Sequence, residues 1–135
     1  MDIVSAVTIA IKKGEKFLLI ASLNGRGESF LWQFPHGRFK ESINGNLNGT
    51  AMRVLENIVT SAKHSDLQID YLGSYLHKKQ DEIVIGYNFL IENFEGEVKA
   101  ENFKWAERGE IEKGTDNIEI DQNTLIFLEL NDELL

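Results

Sequence analysis

Hydrophobic and polar positions alternate along the chain in two rhythms, and each rhythm predicts its own element. Ser5–Ile11 and Lys16–Ser22 are dense in Val, Ile, Leu and Phe, and the polar stretch Lys12–Glu15 between them carries a glycine. That combination predicts a β-hairpin. Asn24–Ser29 is polar and glycine-bearing and reads as a loop, after which Phe30–Phe34 resumes a short strand that Pro35, the only proline, ends. Ile43–Gly49 is a polar loop containing Asn44, Asn46 and Asn48. The clearest periodicity follows it. Ala51, Val54, Leu55, Ile58, Val59 and Ala62 fall on one stripe with a period of 3.6, which predicts a helix over Ala51–Ala62. Arg53, Glu56, Asn57 and Thr60 lie off the stripe, and Asn48 or Thr50 is suited to cap the start.

Beyond the helix, Leu67–His77 and Glu82–Glu92 read as two longer strands joined by the polar turn Lys78–Asp81. Both alternating sets of the second strand are apolar, as expected of a strand inside a sheet. Asn93–Glu97 turns the chain and Asn102–Ala106 gives a further short strand. Thr124–Leu130 is apolar without a decisive period; a helix capped by Asp121 or Asn123 fits it best. The fold class expected is α/β, one domain over residues 1–135, with a mixed sheet between helices.

Composition narrows the functions this fold could carry. The chain has no cysteine, which excludes a disulfide framework, a Zn–thiolate site and a thiol nucleophile. A cytoplasmic location is expected, since there is neither a membrane-length apolar run nor a basic, apolar leader at the N-terminus. The net charge of −8 leaves no basic stripe to displace counterions, so a long nucleic acid is not an expected partner. A small phosphorylated ligand needs only a few local cations and is compatible with this charge, as is a protein partner.

The segment Leu31–Gly37 (LWQFPHG), followed by a loop and an amphipathic helix with an arginine, resembles the start of a Nudix box. That motif reads G-x5-E-x7-R-E-U-x-E-E-x-G-U, with U an aliphatic residue. Gly37 stands for the opening glycine, Arg53 for the arginine and Leu55 for the aliphatic residue after it. Glu101–Ile111 (ENFKWAERGEI) is similar to the family's late strand, in which a tryptophan precedes a short acidic helix. The resemblance runs from about Ser5 to Lys113. It implies a Nudix-like α/β/α sandwich around a mixed, mostly antiparallel sheet. It also implies a cleft for pyrophosphate-type ligands bordered by His36, Gly37, Arg53 and Asn57.

The departures from the motif bear on the chemistry. Val54 stands where a glutamate follows the arginine, Asn57 and Ile58 replace the paired glutamates, and Thr60 replaces the closing glycine. The interval from Gly37 to Arg53 is also two residues longer than the motif's, and neither Ile43 nor Gly45 supplies its first glutamate. In the family, helix carboxylates hold Mg²⁺ that neutralises the pyrophosphate during attack by water. Here Asn57 offers one neutral carbonyl, and Val54 and Ile58 offer no ligand. No metal is therefore expected, and the function expected is binding or regulation with little metal-dependent hydrolysis. The alternative is an active Mg-dependent pyrophosphohydrolase with relocated carboxylates, for which Glu41, Glu56 and Glu101 are the candidates.

Each singled-out residue also has a plainer reading. Trp32 and Phe34 are alternating aromatics that fit a core. Arg53 fits a surface pair with Glu56 or Asn57. Asn44–Gly49 fits an ordinary loop, and Glu92, Glu95, Glu97 and Glu101 a solvated acidic turn. His64 and His77 fall at element ends, as surface residues do, and Lys78 and Lys79 fit a hairpin tip.

Overall fold

The computed structural model describes residues 2–23, 30–39, 46–60, 67–92, 94–113 and 119–135. Ten strands and three helices run through them. The strands are β1 (Asp2–Lys13), β2 (Lys16–Leu23), β3 (Phe30–Gln33), β4 (His36–Arg38), β5 (Val59–Thr60), β6 (Gln68–Lys79), β7 (Glu82–Glu92), β8 (Glu97–Val98), β9 (Phe103–Glu107) and β10 (Glu119–Ile120). The helices are α1 (Leu47–Ile58), α2 (Arg108–Lys113) and α3 (Gln122–Leu130).

Eight strands form one mixed sheet in the order β10-β3-β2-β1-β7-β6, with β4 added along β1 and β9 along β2. The pairs β1–β7 and β3–β10 are parallel and the others antiparallel. The turn of the first hairpin uses Gly14 at φ 63°, a left-handed conformation that glycine adopts without a Cβ penalty. As the two-sided apolar pattern required, β7 lies between β1 and β6.

The period of two divides the core into two layers. Val7, Ile9, Ile11, Leu18, Phe89 and Ile91 face α1, where Ala51, Val54 and Leu55 meet them, with Val59 of β5 in the same layer. The alternate residues Ala10, Phe17, Leu19 and Leu90 join Phe34, Ala106, Ile111, Phe127 and Leu128 under α2 and α3. Phe34 is the hinge of the second layer, 5.8 Å from the Phe17 ring and edge-on to Phe127 at 5.2 Å. The result is the expected α/β/α sandwich, with Trp32 partly and Phe34 fully buried as core residues.

Several boundaries differ from the sequence reading. The first helix is displaced toward the N-terminus: it begins at Leu47 because the Asn46 side chain accepts from Gly49 N at 2.6 Å. Asn46 is therefore the cap; Asn48 and Thr50, the two residues suited to that role by sequence, both lie inside the helix, Thr50 buried. The helix ends at Ile58, since Val59 is extended and pairs with Val98, and Lys99 N donates to Ile58 O. β-branched Val59 and Thr60 suit that change of state. Ala62 and His64 lie outside the described residues. Pro35 separates β3 from β4, so His36 begins a second short strand. His77 is half-buried inside β6, and Lys78 and Lys79 end that strand instead of forming its turn. By contrast, α3 follows its prediction, with Asp121 accepting from Asn123 N.

Candidate functional site

β4 is placed by three pairings to β1: Thr8 with His36, Val7 with Gly37, and Ala6 with Arg38. Pro35 O accepts from Ile9 N at 2.9 Å and Phe39 N donates to Ser5 O at 2.9 Å, so the segment is held at both ends. α1 lies across it. At Gly37 the Val54 side chain comes so close that an added Cβ would sit 2.9 Å from its Cγ2. Gly37 is thus required by helix–strand packing, and Val54 fills the space with only 7% of its surface exposed.

The other residues of the box-like helix divide by angle. Arg53, Glu56 and Asn57 are exposed, while Ile58 is half-buried against the core. At about 100° per residue, positions 54, 57 and 58 make one arc, and two of its three side chains belong to the core. These residues do not fit a Mg²⁺ ion, which needs several converging anionic oxygens. Among the described residues no group of three His, Asp or Glu side chains is placed to hold a metal. Glu41 lies outside the described residues. Glu101 is exposed in a bend whose neighbour Lys99 is tied to the end of α1, so the acidic turn does approach the helix. The structure thus brings His36 and Gly37 onto one strand beside α1. Arg53, Glu56 and Asn57 share the outer side of that helix. A cleft of about 390 Å³ continues past β4, lined by Asp2–Ser5, Arg38, Phe39 and Glu82.

A second polar group, not found from sequence, lies on the α3 face of the sheet. Asn88, at 2% exposure, is paired along the backbone with Thr8 and Gly73, and its Oδ1 has no hydrogen-bond partner. Asn123 Oδ1, at the start of α3, is also buried and unpartnered. The start of α3 is drawn down to the sheet by Phe34 N donating to Thr124 Oγ1 at 3.0 Å and Asp121 N donating to Trp32 O at 2.9 Å. Tyr75 belongs to the same face. Its ring lies over Gly86, where an added Cβ would be 2.2 Å from Cε1, and burial followed by the Asp121 charge pushes its hydroxyl up to about 12. Tyr75 is therefore a neutral donor at ordinary pH. The sequence signal for this group was an asparagine inside a strand apolar on both faces, together with the Asp-Gln-Asn-Thr start of α3.

A buried carbonyl oxygen without a donor costs roughly 1–3 kcal/mol, and native chains rarely keep two of them on one face without a use. Each of the two oxygens can accept a hydrogen bond from a donor brought to it. At the far end of α3, Arg108 has a structural part: its guanidinium meets Glu112 at 2.7 Å and donates to Leu128 O at 3.2 Å, Asp132 O at 3.1 Å and the Asp132 carboxylate.

No protein-family model and no curated protein sequence matches the chain. Solved structures do. The Escherichia coli ORF135 protein superposes with a TM-score of 0.75 at 16% identity, covering 99% of this chain and 91% of that one. A MutT Nudix hydrolase from Burkholderia pseudomallei gives 0.71 at 16% identity, with 96% and 98% covered. The Nudix domain of Shewanella oneidensis NrtR, solved with ADP ribose, gives 0.66 at 16% identity, with 99% and 88% covered. With its sheet order, its paired helical layers and these superpositions over nearly its whole length, the chain has the Nudix fold.

Proposed function

We propose that the chain is a Nudix-superfamily domain that binds a nucleoside-diphosphate-linked ligand without metal-driven hydrolysis. The observation that carries this reading is the contrast between two parts of the molecule. The helix arc that would hold metal is packed against Gly37 through Val54, whereas the α3 face keeps two unpartnered amide oxygens beside Tyr75 and Asp121. The base and ribose of such a ligand would meet the amide side chains, and its phosphates would lie toward His36, Gly37, Arg53 and Asn57. That one structural neighbour was solved with ADP ribose supports the ligand class. A location in the cytoplasm belongs to the same proposal; among the described residues no helix is long and apolar enough to cross a membrane.

One observation favours a second reading. Lys99 N bonded to Ile58 O sets the acidic turn beside the end of α1, so Glu101 and Glu56 are the relocated carboxylates of an active pyrophosphohydrolase in that account. Melting curves with a panel of nucleoside diphosphate derivatives, run in a chelator, test the first reading. A ligand that binds only the folded state raises the melting temperature. The expected result is a rise with at least one derivative in the absence of divalent metal, reduced in Asn88→Leu; shifts confined to samples with Mg²⁺ would favour the second reading.

A further inference from the structure

β6 forms one margin of the eight-stranded sheet. This strand of 12 residues is the last in its sheet, and among the described residues β7 is its one strand partner. A long free edge is a template for another strand, and monomeric proteins normally blunt it. Here the edge also borders the most exposed apolar side chains of the sheet. Leu76 is 73% and Tyr71 51% exposed, and Ile85, which pairs with Leu76, adjoins the row of Ile83 and Ile3, the last 67% exposed.

We infer that β6 pairs antiparallel with β6 of a second copy, across a two-fold axis at Tyr75. Which register is possible follows from the β-bulge between Tyr71 and Gly73, where Gly73 has φ +119°. The bulge inserts one residue, Leu72, so side chains before and after it change faces. Centred on Tyr75, Gly73 faces His77 of the second copy and Ser74 faces Leu76. Past the bulge, Tyr71 then faces Lys78 and Asp70 faces Lys79. Every pair shares a face: Asp70 and Lys79 lie on the α3 side, Tyr71 and Lys78 on the α1 side. The register therefore yields two opposite-charge pairs and two cation–aromatic pairs with no like charges opposed. Centring the pairing one residue either way loses the Asp70–Lys79 pairs. The two Leu76 side chains become diagonal neighbours about 7–8 Å apart. Tyr75 does not obstruct the axis, because its ring is folded inward over Gly86. Asp70 exchanges its exposed bond from Gln68 Nε2 for the lysine. The contact is self-complementary and uses both edges up, so it closes at two copies. It is independent of the ligand reading above.

Sedimentation equilibrium of the full chain across the micromolar range tests the inference. A dimer is expected, weakened roughly tenfold or more by Lys79→Glu, because Asp70 then faces a like charge. The exchanged variant Asp70→Lys with Lys79→Asp should restore it. A chain that stays monomeric, a dimer indifferent to Lys79→Glu, or a failure of the exchange to restore association would each overturn the proposal. Because the protein has no cysteine, Ser74→Cys with Leu76→Cys gives an independent check. Oxidation should link two copies through residues 74 and 76, which the register places opposite each other. Cross-links absent from a folded double variant would also overturn it.

Discussion

Val54 occupies the space that Gly37 leaves open: its Cγ2 stands 2.9 Å from where a side chain on Gly37 would begin. The glycine that resembles the opening of a phosphate-handling motif here serves close packing. The position after Arg53, where a glutamate would hold metal, is spent on the same contact.

Gly37→Ala should therefore destabilise the fold by about 1–3 kcal/mol through overpacking. Combined with Val54→Ala, which removes the clashing methyls, the loss should be smaller than the sum, with a coupling of roughly 0.5–3 kcal/mol. Urea denaturation of the four proteins of the cycle measures this. Additive losses would show that the two residues do not share the space.

Replacing Asn88 separates binding from stability. Its Oδ1 is buried with no partner, so Asn88→Leu, similar in shape, should change stability by about 1 kcal/mol or less. The same variant should lose most of the ligand-induced rise in melting temperature. A severe loss of stability would assign Asn88 a structural part instead.

Tyr75 predicts a specific alkaline behaviour. Its hydroxyl is raised from 10.0 to about 12, by burial first and then by Asp121. The folded state thus favours the neutral form. The associated stability is complete below about pH 10 and is lost as pH rises toward 12. Tyr75→Phe, which cannot ionise, should show a shallower fall in stability over that window than the parent chain. Identical profiles would contradict the assignment.

How much of this was legible in sequence follows from where the signal is local. The strands at β1, β2 and β7 and the cap of α3 at Asp121 could be read, because alternation and capping are properties of a few consecutive residues. The ends of α1 could not. The stripe continues through Val59 and Ala62, and only the pairing of Val59 with Val98, far along the chain, makes Val59 extended. β4 and β10 are short and take their strand character from β1 and β3. The Gly37 and Arg53 candidates were visible as motif fragments. Asn88 and Asn123 were not, because a buried amide becomes conspicuous only when its missing partner can be seen.

The C-terminal end of α3 supplies another test. Arg108 reaches Leu128 O and Asp132 as well as Glu112. Arg108→Ala should cost about 1–2 kcal/mol and raise amide exchange across Leu128–Leu135. Arg108→Lys should recover little, because a single ammonium cannot span three acceptors in a fixed fork. Hydrogen exchange with mass spectrometry reads both variants; unchanged exchange in Arg108→Ala would show that the tie is not needed.

Whether divalent metal drives any chemistry here separates a binding domain from a hydrolase. The direct measurement is phosphate or nucleotide release from a panel of nucleoside diphosphate derivatives, with and without Mg²⁺ and Mn²⁺. Absence of metal stabilisation removes several kcal/mol from the transition state, a factor of roughly thousands in rate. Little or no metal-dependent release is therefore expected from the parent chain, and equally from Glu56→Gln and Glu101→Gln. Robust metal-dependent turnover that disappears in either variant would contradict the account and establish a relocated catalytic site.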